Sequence, residues 1–159
     1  YRLFMMADRE ILSELDSSVM HYDDIKAYKD AFDTIDIRKD ICFACAGYGR
    51  KESLIAAICD FTQTLDGVNL SVVYSLKKEG IKLSIRSNDK YSSGAIVMKA
   101  LNGIGTGGGH DNMAGGYVSY NKAIAEDNLQ RNISQADIVR LEQDIKNRFL
   151  RAAGIETNS

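Results

Sequence analysis

ICFACA, residues 41–46, is apolar at every position. A strand with one wet face alternates, so an unbroken apolar run of this length marks a strand covered on both sides. Gly47-Tyr48-Gly49 ends it, and a helix is expected from Lys51 to about Leu65, with Leu54, Ile58, Phe61 and Leu65 on one stripe. Gly67 breaks that helix, and Leu70–Leu76 reads as a second strand. Strand, helix and strand at this spacing predict a right-handed βαβ unit. Lys77 to Gly80 makes a tight polar turn into Ile81–Ser87, an antiparallel hairpin partner. Its alternation puts Ile81, Leu83 and Ile85 on one face and Lys82, Ser84 and Arg86 on the other.

Further out, a helix is predicted from Ser92 to Asn102, with serine as N-cap and Gly103 as the stop. A glycine-rich loop follows, then a fourth strand at Gly116–Tyr120. Ser134 and Asp137 make a capping-box-like start for a last helix, whose stripe is Ile138, Leu141, Ile145 and Phe149; Gly154 ends it. Upstream, Leu3, Phe4, Met5, Met6, Ile11, Leu12, Leu15 and Val19 trace roughly a helical stripe, and Asp23-Asp24 open a short helix carrying Ile25, Tyr28 and Phe32. The expected fold is one α/β domain (39–159), a mixed sheet of four to five strands with flanking helices, preceded by linker helices (1–38).

The chain has 159 residues, 45% hydrophobic and 26% charged. That composition excludes a disordered tail, a collagen-like fibre and a disulfide miniprotein. A net charge of −2 gives no global basic field for gripping duplex nucleic acid, so an anionic ligand must be held locally. Three cysteines suit a reducing cytosol better than a disulfide framework, and no apolar run reaches membrane-span length. Cys42 and Cys45 form a C-x-x-C, but on a strand positions i and i+3 face opposite sides and cannot converge on a metal.

The glycines carry the functional signal: 7 of the 13 lie between Gly103 and Gly116. Gly103, Gly105 and Gly108 satisfy the literal G-x-G-x-x-G spacing, yet a dinucleotide fingerprint needs a strand before it and a helix after it, and here the order is reversed. No Gly-Lys-Ser/Thr follows, so a phosphate-binding P-loop is excluded as well. What remains is Gly107-Gly108-Gly109-His110 and then Gly115-Gly116. Consecutive glycines let backbone N–H groups converge on an anion, and His110 adds a side-chain donor. Arg86, near its strand end, could fork onto a phosphate, with Ser84 and Ser87 as flanking hydroxyls. Tyr48, Arg50 and Tyr91 are weaker candidates for base or phosphate contact, each more readily read as part of a solvated turn.

SIRS (Ser84–Ser87), followed after a helix by GGGHDNMAGG (Gly107–Gly116), resembles the signature of the C-terminal DHH-associated domain of the DHH-family phosphoesterases. That family includes RecJ-like exonucleases, oligoribonuclease/pAp phosphatases and cyclic-dinucleotide phosphodiesterases. The resemblance spans Ile41 to Tyr120. It implies a substrate-binding domain that grips the phosphate or nucleotide of short oligonucleotides, pAp or cyclic-dinucleotide products through Ser84, Arg86, Ser87, Gly107, Gly108, Gly109, His110, Gly115 and Gly116. It also implies a missing N-terminal DHH catalytic domain of the same polypeptide that holds manganese. This chain has no D-H-H triplet, and its two histidines are His21 and His110, so no catalytic residue, metal or cofactor is assigned to it. Where the family has Ala-Ala-Gly after the histidine, this sequence has Met113-Ala114-Gly115. The implied setting is cytoplasmic, with a homodimer as one allowed assembly. Two rival readings stay open: a nonenzymatic nucleic-acid-binding module like that appended to alanyl-tRNA synthetases, and the polyphosphate-binding half of an exopolyphosphatase-like enzyme.

Overall fold

The computed structural model describes residues 19–124 and 132–157. The predicted stripe from Leu3 to Leu15 lies outside them. In chain order the elements are α1 (Tyr22–Asp33), β1 (Asp36–Arg38), β2 (Ile41–Tyr48), α2 (Glu52–Thr62), β3 (Leu70–Leu76), β4 (Gly80–Ser87), α3 (Ser93–Leu101), β5 (Gly105–Gly109), β6 (Met113–Ser119), α4 (Tyr120–Ile124) and α5 (Gln135–Ala152). The six strands form one mixed sheet in the order β1-β2-β3-β4-β6-β5. β2 and β3 run parallel, joined through α2, and every other neighbouring pair is antiparallel.

ICFACA is covered on both sides, as its composition demands. On one face Ile41 and Phe43 join Val72, Leu83 and Ile85 under α3 and α5, against Val97, Leu141, Ile145 and Phe149. Phe149 is fully buried and meets Phe43 edge-on with ring centroids 6.4 Å apart, so Phe149→Ala costs about 3–5 kcal/mol. On the other face Ala44, Ala46 and Val73 pack on Ala27 and Ala31 of α1 and on Ile55 and Ile58 of α2. Small residues on that face let the helices sit close to the sheet.

The helix starts follow their caps. Ser92 Oγ accepts the Ala95 N–H at 3.4 Å. At α5, Ser134 Oγ accepts the Asp137 N–H at 3.2 Å while the Asp137 carboxylate accepts the Ser134 N–H at 3.0 Å, a reciprocal box. Gly154, at φ +79°, closes that helix.

Two strands were not expected. β1 is three residues long, too short to show alternation, and it forms because Asp36–Arg38 pairs antiparallel with β2. β5 reads GTGGG, expected as loop because only Thr106 in it favours a strand. Pairing with β6 from Gly105↔Val118 to Gly109↔Ala114 makes it a strand, and β6 itself starts at Met113, three residues earlier than Gly116. The glycine-rich segment is therefore a hairpin at the sheet edge. Its backbone amides alternate in direction instead of converging in a nest.

Candidate functional site

Cross-strand register lays out the site. Residues directly opposite one another across a sheet share a face, and parity separates the two faces of each strand. Three rows run across β4, β6 and β5 on the face that carries α2: Arg86–Met113–His110, Ser84–Gly115–Gly108 and Lys82–Tyr117–Thr106. α2 packs over β3 and β4 on this face, and β6 and β5 continue beyond it. The result is a groove of about 270 Å3, lined by Glu52, Ile55 and Ala56 of α2, by Lys82, Ser84 and Arg86 of β4, and by Gly108, His110, Met113 and Gly115 of the hairpin.

Each cation of β4 has an acid of α2 as partner. Arg86 Nε donates to Asp60 Oδ1 at 2.6 Å, and its Nη1 donates to Ser84 Oγ at 3.2 Å and to the Ile85 carbonyl at 3.0 Å. These bonds fix the guanidinium plane and leave Nη2 without an acceptor among the described residues. Lys82 Nζ lies 3.2 Å from Glu52 Oε1. Asp60 and Glu52 are largely exposed, so both pairs are solvent-screened and readily exchanged for another anion. His110 is exposed at the turn between β5 and β6, and its backbone is pinned from two sides. Its N–H donates to Met113 O at 2.7 Å, and its carbonyl accepts the Gly94 N–H at 2.9 Å. The first amides of α3 thus hold the turn, and the imidazole is presented from a fixed base.

Of the residues predicted from sequence, the structure gathers Ser84, Arg86, Gly108, Gly109, His110 and Gly115 at the groove. It places three others on the opposite face. A Cβ on Gly107 would sit 2.6 Å from Val97 Cγ2, and one on Gly116 2.6 Å from Leu101 Cδ1, so these two glycines admit α3 against the sheet. Ser87 is buried, and its hydroxyl lies 2.7 Å from Ser93 Oγ, 2.9 Å from Tyr91 O and 2.8 Å from Asp111 O. It ties the 88–93 segment to the hairpin turn. Gly109 reaches the groove through its backbone, and its φ of +156° with a virtual Cβ 2.5 Å from Met113 O excludes any side chain.

Lys82 joins the site without a sequence signal of its own beyond the alternation that puts it on the face of Ser84 and Arg86. Met113, marked in the sequence only as a departure from the family's Ala-Ala-Gly, is 46% exposed between Arg86 and His110. The register Arg86↔Met113, which only the pairing reveals, was the missing signal.

The weaker candidates are occupied elsewhere. Arg50 donates to Ala46 O at 3.0 Å and to Asp30 Oδ2 at 3.1 Å, anchoring α1 on the end of β2. Tyr91 OH donates to Asp40 at 2.9 Å, in a cluster with Lys90 and Asn69. Tyr48 is exposed at the last position of β2. Cys42 and Cys45 face opposite sides, as strand parity requires. Burial pushes the Cys42 thiol up to about 11 and the buried Cys59 thiol up to about 12, which removes both as nucleophiles. Among the described residues no three His, Cys, Asp or Glu side chains come together to hold a metal ion, and no helix is long and apolar enough to cross a membrane.

A family model described as the DHHA1 domain matches residues 39–137. Among solved structures, the chain is similar to an exopolyphosphatase-related protein from Bacteroides fragilis, with a TM-score of 0.55 and 15% identity over 84% of this chain and 37% of that one. It is also similar to the C-Ala domain of Aquifex aeolicus alanyl-tRNA synthetase (TM-score 0.47, 18% identity, 70% of this chain and 96% of that one). A third is a pGpG-specific phosphodiesterase from Vibrio cholerae (TM-score 0.46, 12% identity, 82% of this chain and 40% of that one). No curated protein matches. The chain spans little more than a third of the length of the Bacteroides protein, and that likeness shows a shared fold.

Proposed function

The chain belongs to the DHHA1 domain family, and from that premise we propose that it is the substrate-binding domain of a manganese-dependent DHH-type phosphoesterase of the cytoplasm. In this reading residues 1–38 are the linker from an N-terminal catalytic domain, and 39–159 bind the phosphate of a short oligonucleotide, pAp or a cyclic-dinucleotide product. The observation that supports it best is the row Arg86–Met113–His110, which sets two cationic or donor side chains on one face of the sheet, roughly 10 Å apart across two strand spacings. A phosphate seated between them takes the unused Nη2 of Arg86 and the His110 imidazole, and Lys82 adds positive charge further along the groove-lining row of β4. The manganese of this reading would sit on the catalytic domain, since the acids of this groove, Glu52 and Asp60, are each paired with a cation. No chemical step is therefore assigned to these residues; they bind and orient.

Size and charge favour a short ligand. A groove of about 270 Å3 lies just below the usual range of small-molecule sites (~300–1,000 Å3). The net charge of −2 offers no track for a long polyanion. Isothermal titration of the chain with pAp, a dinucleotide, single-stranded DNA and polyphosphate tests the reading. The short nucleotides are expected to bind tightest. Arg86→Ala should weaken them by roughly 10- to 100-fold, the span of a lost charge-assisted hydrogen bond, and His110→Ala should weaken them measurably. Two variants that bind like the parent chain would overturn the assignment.

A further inference from the structure

The row between the cations is bare. Ser84, Gly115 and Gly108 lie opposite one another across β4, β6 and β5, and the last two present no side chain to the groove. The four paired glycines of this hairpin have two different reasons to be glycine. Gly107 and Gly116 face α3, where a Cβ would come within 2.6 Å of a core side chain. Gly108 and Gly115 face the groove. A Cβ on Gly108 would meet nothing within 4 Å, and one on Gly115 would meet only the Leu83 carbonyl, at 3.6 Å. Folding therefore does not require glycine at 108 or 115. This one glycine pair on adjacent strands leaves a patch of bare peptide planes, about one strand spacing wide, between the Arg86–Met113–His110 row and the Lys82–Tyr117–Thr106 row.

The walls of that patch differ in chemistry. Along one side run Arg86, Met113 and His110. At the α2 end stands half-buried Ala56, with Ile55 wholly buried behind it, an apolar edge at a site otherwise rich in charge. A phosphate uses the cations and has no use for a flat floor, a thioether or a buried alkyl edge. A planar, weakly polar ring does: its faces need apolar or peptide surface, and the polarisable sulfur of Met113 packs well at a ring edge.

We propose that the Gly108–Gly115 floor is the seat of a nucleobase, laid face-down on the glycine backbone with Met113 beside it, next to the phosphate at Arg86 and His110. The inference rests on the phosphate reading above for the neighbouring group, and it adds which atoms recognise the base. Ser84 closes the floor at β4; its hydroxyl accepts from Arg86 Nη1 and keeps its own hydrogen for the ring edge. The seat is sequence-tolerant because peptide planes and a thioether accept any base face.

The test fills the floor without touching the phosphate grip. Gly108→Val and Gly115→Val place β-branched side chains in open space on strands, where they are compatible with folding. Gly115→Ala serves as the smaller step, and urea midpoints verify that each variant is folded. Binding of adenosine 3′,5′-bisphosphate is compared with binding of inorganic pyrophosphate, which has phosphates and no base. The expected result is a loss of about ten-fold or more for the bisphosphate, the order of a lost base stack, with pyrophosphate unchanged within about two-fold. Unchanged bisphosphate binding, or an equal loss for both ligands, overturns the base seat. Arg86→Ala separates the two readings. If it weakens the bisphosphate while the valines do not, the base seat fails and the phosphate grip stands. If the valines weaken it while Arg86→Ala does not, the seat stands and the grip fails. No binding of the bisphosphate to the parent chain at millimolar concentration overturns both.

Discussion

Gly107→Ala and Gly108→Ala change the same residue type at consecutive positions of one strand, and the packing predicts opposite effects on stability. At 107 the new Cβ lands 2.6 Å from Val97 Cγ2 and 3.2 Å from both Val97 Cγ1 and the Gly115 carbonyl. Ordinary carbon–carbon contact is about 3.5–4.0 Å, so α3 must retreat or Val97 must leave its rotamer. Val97 is fully buried and β-branched, with little freedom to do either. Over-packing of this kind costs about 1–3 kcal/mol, against a gain of about 0.5–1 kcal/mol from removing a glycine from a strand interior. The net is a loss of roughly 0–2.5 kcal/mol. At 108 only the gain applies, because nothing lies within 4 Å. In a chain of this size 1 kcal/mol moves the midpoint by about 2–4 °C. Gly107→Ala should therefore melt several degrees below Gly108→Ala, which should match or exceed the parent chain. Urea titration gives the same ordering if the m-value stays constant. Equal midpoints for the two variants would refute the account in which one parity of this hairpin serves packing and the other does not.

Two further expectations concern charge. Burial alone would raise the Asp40 carboxyl, but hydrogen bonds from Lys90, Asn69 and Tyr91 outweigh it and hold the group below its ordinary value. A depressed folded-state value means the carboxylate's contribution is present above about pH 4, the unfolded value, and is lost as pH falls through the folded one. Asp40→Asn should flatten the decline of urea stability on acidification below about pH 4, and an unchanged slope would show that the cluster is not what the acid limb reports. At the groove, Asp60→Asn removes the anion beside Arg86 and keeps an acceptor. Anion binding should tighten by roughly two- to five-fold at low ionic strength and lose that advantage in 0.5 M salt, since the Asp60 carboxylate is largely exposed. Weaker binding at low salt would mean that Asp60 acts by positioning Arg86 alone.

Much of the architecture was legible because local pattern and tertiary contact agree. ICFACA announced a doubly covered strand, Ser92 and Ser134 announced helix starts, and the alternation of 81–86 put Ser84 and Arg86 on the correct face. β5 was not legible, since four of the five residues of GTGGG are strand-disfavouring glycines; its conformation comes from β6 alongside it. The site was legible in part for the same reason. Arg86 and His110 are 24 positions apart in sequence, and only the register Arg86↔Met113, with the His110–Met113 pair, brings them into one row. Parity was the neglected signal. Consecutive strand residues face opposite sides, so Arg86 and Ser87 could not both line one groove, and neither could Gly107 and Gly108.

That parity also explains how one glycine cluster can meet two incompatible demands. β6 and β5 need cover on one face to belong to the sheet, and α3 supplies it only by approaching so closely that Gly107 and Gly116 must be bare. On the other face α2 reaches no further than β4, so the outer strands are open to solvent. An exposed strand face of this kind would ordinarily carry polar side chains, and an exposed edge would carry charge. Gly108 and Gly115 carry neither, at the point where Arg86, Lys82 and His110 converge. A surface kept bare by packing would show clashes there, as Gly107 does, and it shows none. The open glycines are thus unexplained by folding and fit a groove that must admit a flat ligand against the backbone. Its cations, each resting on an exchangeable acid of α2, are held ready for the anion that such a ligand brings.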